Sequence, residues 1–117
     1  MSGRDIAGRA IDGRLHGKIA LVLGAGASGP GWGNGKATAV AFARAGAKVV
    51  CVDLNMEAAQ ETAKLIADED GVALALRCDV TKAEDIARVV AQSAAMFGRI
   101  DILDNNVGIA VTGGVVE

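Results

Sequence analysis

The stretch Leu23-Gly-Ala-Gly-Ala-Ser-Gly-Pro-Gly-Trp-Gly-Asn-Gly-Lys-Ala37 decides how the rest of this 117-residue chain is read. It follows an apolar run, Lys18 to Leu23, with the Ile, Val and Leu content of a strand buried on both faces. It leads into Lys36 to Ala45, an alanine-rich segment suited to a helix. Strand, glycine loop and helix N-terminus in that order make an anion site. Side chains are missing where phosphate oxygens must approach the backbone, and the first helical turn turns free N–H groups toward them.

Counting separates two registers for this loop. Gly24, Gly26 and Gly29 satisfy G-x-G-x-x-G literally, but that register starts the helix near Gly26 and buries Pro30, Gly31 and Gly33 inside it. Proline in a helix interior costs about 3 kcal/mol and each glycine about 1. The helix is therefore expected to start near Asn34, with Gly24, Gly33 and Gly35 as the functional glycines and an enlarged loop between them. A P-loop is excluded, because counting back from Gly35-Lys36 puts Pro30 where its first glycine belongs, and Ala37 replaces the required Ser or Thr.

Working outward, Gly46 stands where a helix ends, and Ala47 to Val52 is a second buried-type strand closing in Asp53. Asp53 lies 20 residues after Gly33, where an acidic side chain accepts hydrogen bonds from the adenosine ribose of a dinucleotide. Its bland alternative is a solvated aspartate opening the next helix. Asn55 caps a helix from Met56 to about Glu69 with Ala58, Ala59, Thr62, Leu65 and Ile66 on one face, and Asp70-Gly71 ends it. Val72 to Arg77 is a third strand. Thr81 and Glu84 form a capping box for a helix to Phe97, with Ile86, Val89, Val90, Ser93 and Phe97 on one side. Gly98 stops that helix and Ile100 to Asn105 is the fourth strand. The alternation predicts a doubly wound parallel α/β sheet of order 3-2-1-4, with residues 1–13 as a flexible leader and 14–117 as one dinucleotide-binding domain.

Composition narrows the function classes. A net charge of −2 gives no basic stripe for nucleic acid, and no apolar run approaches a membrane span or a signal peptide, so a cytoplasmic protein is expected. Cys51 and Cys78 have no C-x-x-C spacing and the chain has one histidine, His16, so neither a metal site nor a disulfide is expected.

Taken together, Arg14-Leu-His-Gly-Lys-Ile-Ala-Leu-Val-Leu-Gly-Ala-Gly26, Asp79-Val80 and Asp101-Ile-Leu-Asp-Asn-Asn-Val-Gly108 resemble the classical short-chain dehydrogenase/reductase family. The resemblance implies a Rossmann-like fold cut after the fourth strand. It implies that Gly24, Gly33, Asn34 and Gly35 shape the pyrophosphate turn and that Asp53, with Leu54 beside it, holds the ribose. Asp79 would accept from the adenine amino group, Val80 would supply backbone contact, and Asn106, Val107 and Gly108 would pass beside the cofactor. NAD is expected in preference to NADP, because Asp53 repels a 2′-phosphate and Trp32 supplies no compensating charge.

The departures are as specific. Leu23 replaces the family's usual Thr, the loop between Gly24 and Gly33 is five residues longer than T-G-x-x-x-G-x-G, Val107 replaces Ala, and Asp104 occupies a strand position that is ordinarily apolar. The family's Ser and Tyr-x-x-x-Lys group lies beyond the fourth strand, and this chain contains no tyrosine. No catalytic residue is therefore assigned. The chain is read as the NAD-binding portion of an oxidoreductase acting on an alcohol or carbonyl substrate, inactive alone and, at full length, a homo-oligomer of two or four copies. The competing readings are a dinucleotide-binding or sensing module without chemistry and a truncated, inactive product. An edge formed by the fourth strand, with Asp101 and Asp104 as its charged protection, also predicts marginal stability and self-association.

Overall fold

In the computed structural model, which describes residues 14–26 and 33–105, seven elements alternate along the chain. They are β1 (Ile19–Leu23), α1 (Asn34–Arg44), β2 (Lys48–Asp53), α2 (Met56–Asp68), β3 (Ala73–Arg77), α3 (Ala83–Phe97) and β4 (Ile102–Asn105). All strand pairs are parallel and the order is β3-β2-β1-β4, as the alternation predicts. The leader and the loop residues 27–32, Trp32 included, lie outside the described residues, as do Asn106, Val107 and Gly108.

Strand parity divides the core into two layers. Ala20 and Val22 of β1 pair in register with Val49 and Cys51 of β2 and pack with Ala39 and Val40 of α1 and Ala59 and Ile66 of α2. Leu21 and Leu23 pair with Val50 and Val52 and pack with Val89 of α3. Every residue of β1 is buried, which is why its sequence reads as a continuous apolar run rather than an alternating one. The chain steps from β1 to β2 to β3 over one face and then returns past β1 to β4 over the other. Crossovers of a single hand require those opposite steps to put α3 on the face opposite α1 and α2. The reversal leaves a crevice between the C-terminal ends of β1 and β4.

Helix ends follow local chemistry. At the end of α1, Gly46 has φ +102°, its N–H donates to Ala43 O at 3.0 Å, and the Ala47 N–H donates to Phe42 O at 3.0 Å. At the end of α2, Asp70 has φ +67° and the same pair of bonds forms from Asp70 to Ala67 and from Gly71 to Ile66, both 2.9 Å. Both are Schellman closures, one built on glycine and the other on an aspartate in the left-handed region. Asn55 caps α2 as expected, its side chain accepting from the N–H groups of Glu57 and Ala58.

Three expectations are corrected. Thr81 and Glu84 do not form a capping box: the N-cap of α3 is Lys82, without a side-chain cap. The Thr81 hydroxyl donates instead to Asp79 Oδ1 at 2.6 Å, and the Thr81 N–H joins it at 3.0 Å, so a carboxylate two residues upstream has taken the group the box needs. Val90 is exposed on α3 while Val89 and Ser93 are buried, because the face touching the sheet is narrower than the apolar content of the helix. Asp101 precedes β4 rather than guarding its edge. Its carboxylate accepts from the Ile19 N–H at 2.8 Å and from Arg99 Nε, while the Arg99 guanidinium also donates to Gly17 O at 2.6 Å. These bonds tie the start of β4 inward to β1.

Candidate dinucleotide site

The turn after β1 is held from two sides. Gly24, at φ +77°, reverses the chain in the left-handed region, and both its N–H and that of Ala25 donate to Val52 O at 2.8 and 2.9 Å. From the other side α1 approaches so closely that a Cβ on Gly35 would fall on the carbonyl oxygen of Gly24, with Gly24 C at 2.6 Å and Ala25 Cα at 3.2 Å. Only hydrogen fits there. Gly33 is the N-cap of α1 in an extended conformation and offers no side chain to the helix end. Helix geometry leaves the N–H groups of Asn34 and Gly35 without acceptors inside α1, and no acidic residue occupies its first turn to compensate the dipole. The N-terminus of α1 and the Gly24 turn thus form a backbone cradle of the kind that favours an anion at a helix N-terminus. Lys36, just inside the helix, is 6% exposed and pairs with Glu61 of α2 at 3.4 Å.

Asp53 ends β2 beside this turn. Its Oδ2 accepts from the Gly26 N–H at 2.9 Å and its Oδ1 from the Asn55 N–H at 3.0 Å, so two backbone donors from different loops orient the carboxylate. Each oxygen retains acceptor capacity. Leu54 is 58% exposed next to it. The buried Thr62 hydroxyl of α2 donates to Ala25 O at 2.9 Å and lies 3.3 Å from Ala58 O, which fastens α2 to the glycine turn.

The Cys78 N–H donates to Asp53 O at 3.1 Å, bringing the exit of β3 beside that of β2. Asp79 and Val80 follow at once. The bond from the Thr81 hydroxyl, then that from its N–H, holds the Asp79 carboxyl below its ordinary range, and the Asp79 N–H donates to Asp85 Oδ2 at 3.1 Å. Val80 packs, half-buried, on the α3 side of the core. Of the residues singled out in the sequence, Gly24 follows β1, Gly33, Asn34 and Gly35 open α1 against that turn, Asp53 and Leu54 stand at the end of β2, and Asp79 and Val80 follow β3. Asn105, the last residue of β4, is in register with Leu23, while the next three predicted residues lie outside the described ones.

Gly26, Asn55 and Thr62 enter the site without having been assigned to it. Gly26 had a signal, as the second glycine of the literal G-x-G-x-x-G. Thr62 reads in sequence only as part of an apolar helical face. Among the described residues no His, Cys, Asp and Glu cluster could hold a metal ion. Cys51 and Cys78 are free and buried in opposite layers of the core, and burial pushes the Cys51 thiol up to about 12. Asp104 is half-buried in β4 opposite Val22, and burial raises its carboxyl.

A family model described as Enoyl-(Acyl carrier protein) reductase matches residues 29–117. The 7alpha-hydroxysteroid dehydrogenase of Escherichia coli K12 is 41% identical over 95 residues, which cover 81% of this chain and 35% of that enzyme. A crystal structure of a short-chain dehydrogenase/reductase from Burkholderia xenovorans superposes with a TM-score of 0.78 at 50% identity, covering 87% of this chain and 40% of that one. A 7α-hydroxysteroid dehydrogenase in complex with NADH and 7-oxo glycochenodeoxycholic acid superposes with a TM-score of 0.71 at 40% identity, over 77% of this chain and 33% of the other. The chain thus spans between a third and two fifths of the length of these relatives.

Proposed function

The chain belongs to the short-chain dehydrogenase/reductase family, and we propose that residues 14–117 are its NAD-binding portion, serving hydride transfer between NAD(H) and an alcohol or carbonyl substrate. The observation that carries this reading is the Asp53 carboxylate, oriented by the Gly26 and Asn55 N–H groups beside a turn too crowded for any side chain at Gly35. The donor set suits the cofactor. The cradle of Gly24, Gly33, Asn34 and Gly35 offers backbone N–H groups and no bulk to a pyrophosphate. Asp53, with Leu54 alongside, offers acceptors to ribose hydroxyls, and Asp79 with Val80 suits an adenine edge. Asn106, Val107 and Gly108 complete the proposed contacts. When bound, the nicotinamide supplies the hydride chemistry, and these residues hold and orient the dinucleotide.

NAD is preferred to NADP in this reading, because Asp53 would stand against a 2′-phosphate. The chain covers between a third and two fifths of its relatives' length, and in this reading it holds the cofactor while turnover needs the family's Ser and Tyr-x-x-x-Lys group, in a homo-oligomer. The two free buried thiols suit the reducing cytoplasm, and among the described residues no helix is long and apolar enough to cross a membrane.

Titrating NAD and NADP against the 117-residue chain, by calorimetry, tests the reading. NAD should bind more tightly, and Asp53→Ala should narrow the difference by about 1 to 3 kcal/mol as charge-assisted hydrogen bonds are lost. Tighter binding of NADP by the unaltered chain would refute the assignment.

A further inference from the structure

Gly26 belongs to neither the helix-proximal glycines nor the apolar core, yet it is wedged between Asp53 and Ala58. Its N–H donates to Asp53 Oδ2 at 2.9 Å, and a Cβ built on it would overlap Ala58 Cβ and lie 3.0 Å from the same carboxylate oxygen. Among the described residues the positive-φ glycines do not include it, so crowding rather than a left-handed backbone demands glycine there. Ala58 stands in the first turn of α2, whose cap, Asn55, gives its own N–H to Asp53 Oδ1. Thr62, one turn further along, anchors Ala25 O, the carbonyl that precedes Gly26. The first two turns of α2 therefore set the height of Gly26 against the carboxylate.

We infer that Gly26 is a positioning residue for a ribose cis-diol: packed on Ala58 and tethered through Ala25 to Thr62, it turns the Asp53 carboxylate so that one acceptor site on each oxygen faces the 2′- and 3′-hydroxyls. This rests on the dinucleotide reading above and adds to it the element that presents the acid. A carboxylate bound once at each oxygen keeps capacity for two more donors, which is the number a diol supplies. Orientation set before the ligand arrives removes the cost of ordering the side chain on binding. A methyl at position 26 would displace the N–H and press on Asp53 Oδ2, leaving the Asn55 N–H as the backbone donor that holds the carboxylate, so the diol would lose its fixed partner while the charge remained.

The test compares ADP with 2′-deoxy-ADP by calorimetry on the 117-residue chain. Unaltered protein should bind ADP about tenfold more tightly, the value of one hydrogen bond to a charged acceptor. Gly26→Ala should bring that ratio to within about threefold of unity, and adding Ala58→Gly, which removes the nearest atom the new Cβ would meet while the backbone carbon of residue 58 stays at 3.1 Å, should restore part of it. Thermal melts establish that each variant is folded, and the double variant supplies the answer if the single one is not. An unchanged ratio in folded Gly26→Ala, or a ratio that stays collapsed in the folded double variant, would overturn the inference, since a merely structural glycine would weaken both nucleotides alike. Failure of the unaltered chain to bind either nucleotide would instead refute the dinucleotide reading, and the inference with it.

Discussion

Replacing Gly35 by alanine sets two opposite effects against each other at one buried position in the first turn of α1. Alanine is the better helix former by about 1 kcal/mol, so propensity alone predicts a more stable protein. The added Cβ, however, would fall on the Gly24 carbonyl oxygen, and the crowding atoms are backbone that no rotamer change can move. Relief requires shifting the turn whose Gly24 and Ala25 N–H groups donate to Val52 O. Losing both bonds costs about 2 kcal/mol, and overpacking adds about 1 to 3. After the propensity gain the variant should be less stable by about 2 to 4 kcal/mol, which lowers Tm by about 8 to 16 °C for a chain of this size. Gly98→Ala is the control. It has φ +89° but nothing within 4 Å of an added Cβ, so it should lose only the backbone term of about 1 kcal/mol. Thermal melts followed by circular dichroism at 222 nm measure both. If Gly35→Ala melts at or above the parent, or no lower than Gly98→Ala, then the helix does not press on the turn as described and the steric case for the anion cradle collapses.

The Asp101 carboxyl is held below its ordinary value first by the Ile19 N–H and then by Arg99. Its contribution to stability is therefore complete above the unfolded carboxylate value near about 4 and is lost as pH falls through the lower folded value. Urea melts between pH 2 and 7 should show a shallower acid limb for Asp101→Asn than for the parent, and superimposable limbs would count against the clamp. Cys51, with its thiol pushed up to about 12 by burial, should resist an aromatic disulfide reagent at pH 8 until the domain unfolds, as should buried Cys78. Stoichiometric labelling within minutes in native buffer would place a thiol at the surface. Thr62→Val should destabilise by about 1 to 2 kcal/mol through the unsatisfied Ala25 carbonyl, with Thr62→Ser close to the parent; equal melts for Val and Ser would remove that bond from the account.

The strand order and the two-layer core were legible in the chain because both rest on local patterns. Continuous apolar runs mark strands buried on both faces, helical periodicity separates them, and Gly46 and Asp70-Gly71 close helices by rules that act over a single turn. The 20-residue interval from Gly33 puts Asp53 at the end of β2 for the same reason, since one strand–helix–strand unit has a nearly fixed length. What the sequence by itself could not determine depends on groups distant along the chain meeting at one point. Thr81 was free to cap α3 until Asp79 took its hydroxyl, Asp101 was an edge charge until Ile19 and Arg99 claimed its carboxylate, and Val90 counted as core until α3 settled with a narrow contact face. Gly26 shows the same division most clearly. Its glycine was visible in the loop, but its purpose comes from Ala58 and Asp53, 32 and 27 positions away, whose atoms reach it only when the sheet has aligned the ends of β1 and β2. Short-range rules choose the elements; packing decides which of several competent hydrogen-bonding partners each polar group finds, because an unsatisfied buried group is costly and the nearest suitable acceptor prevails.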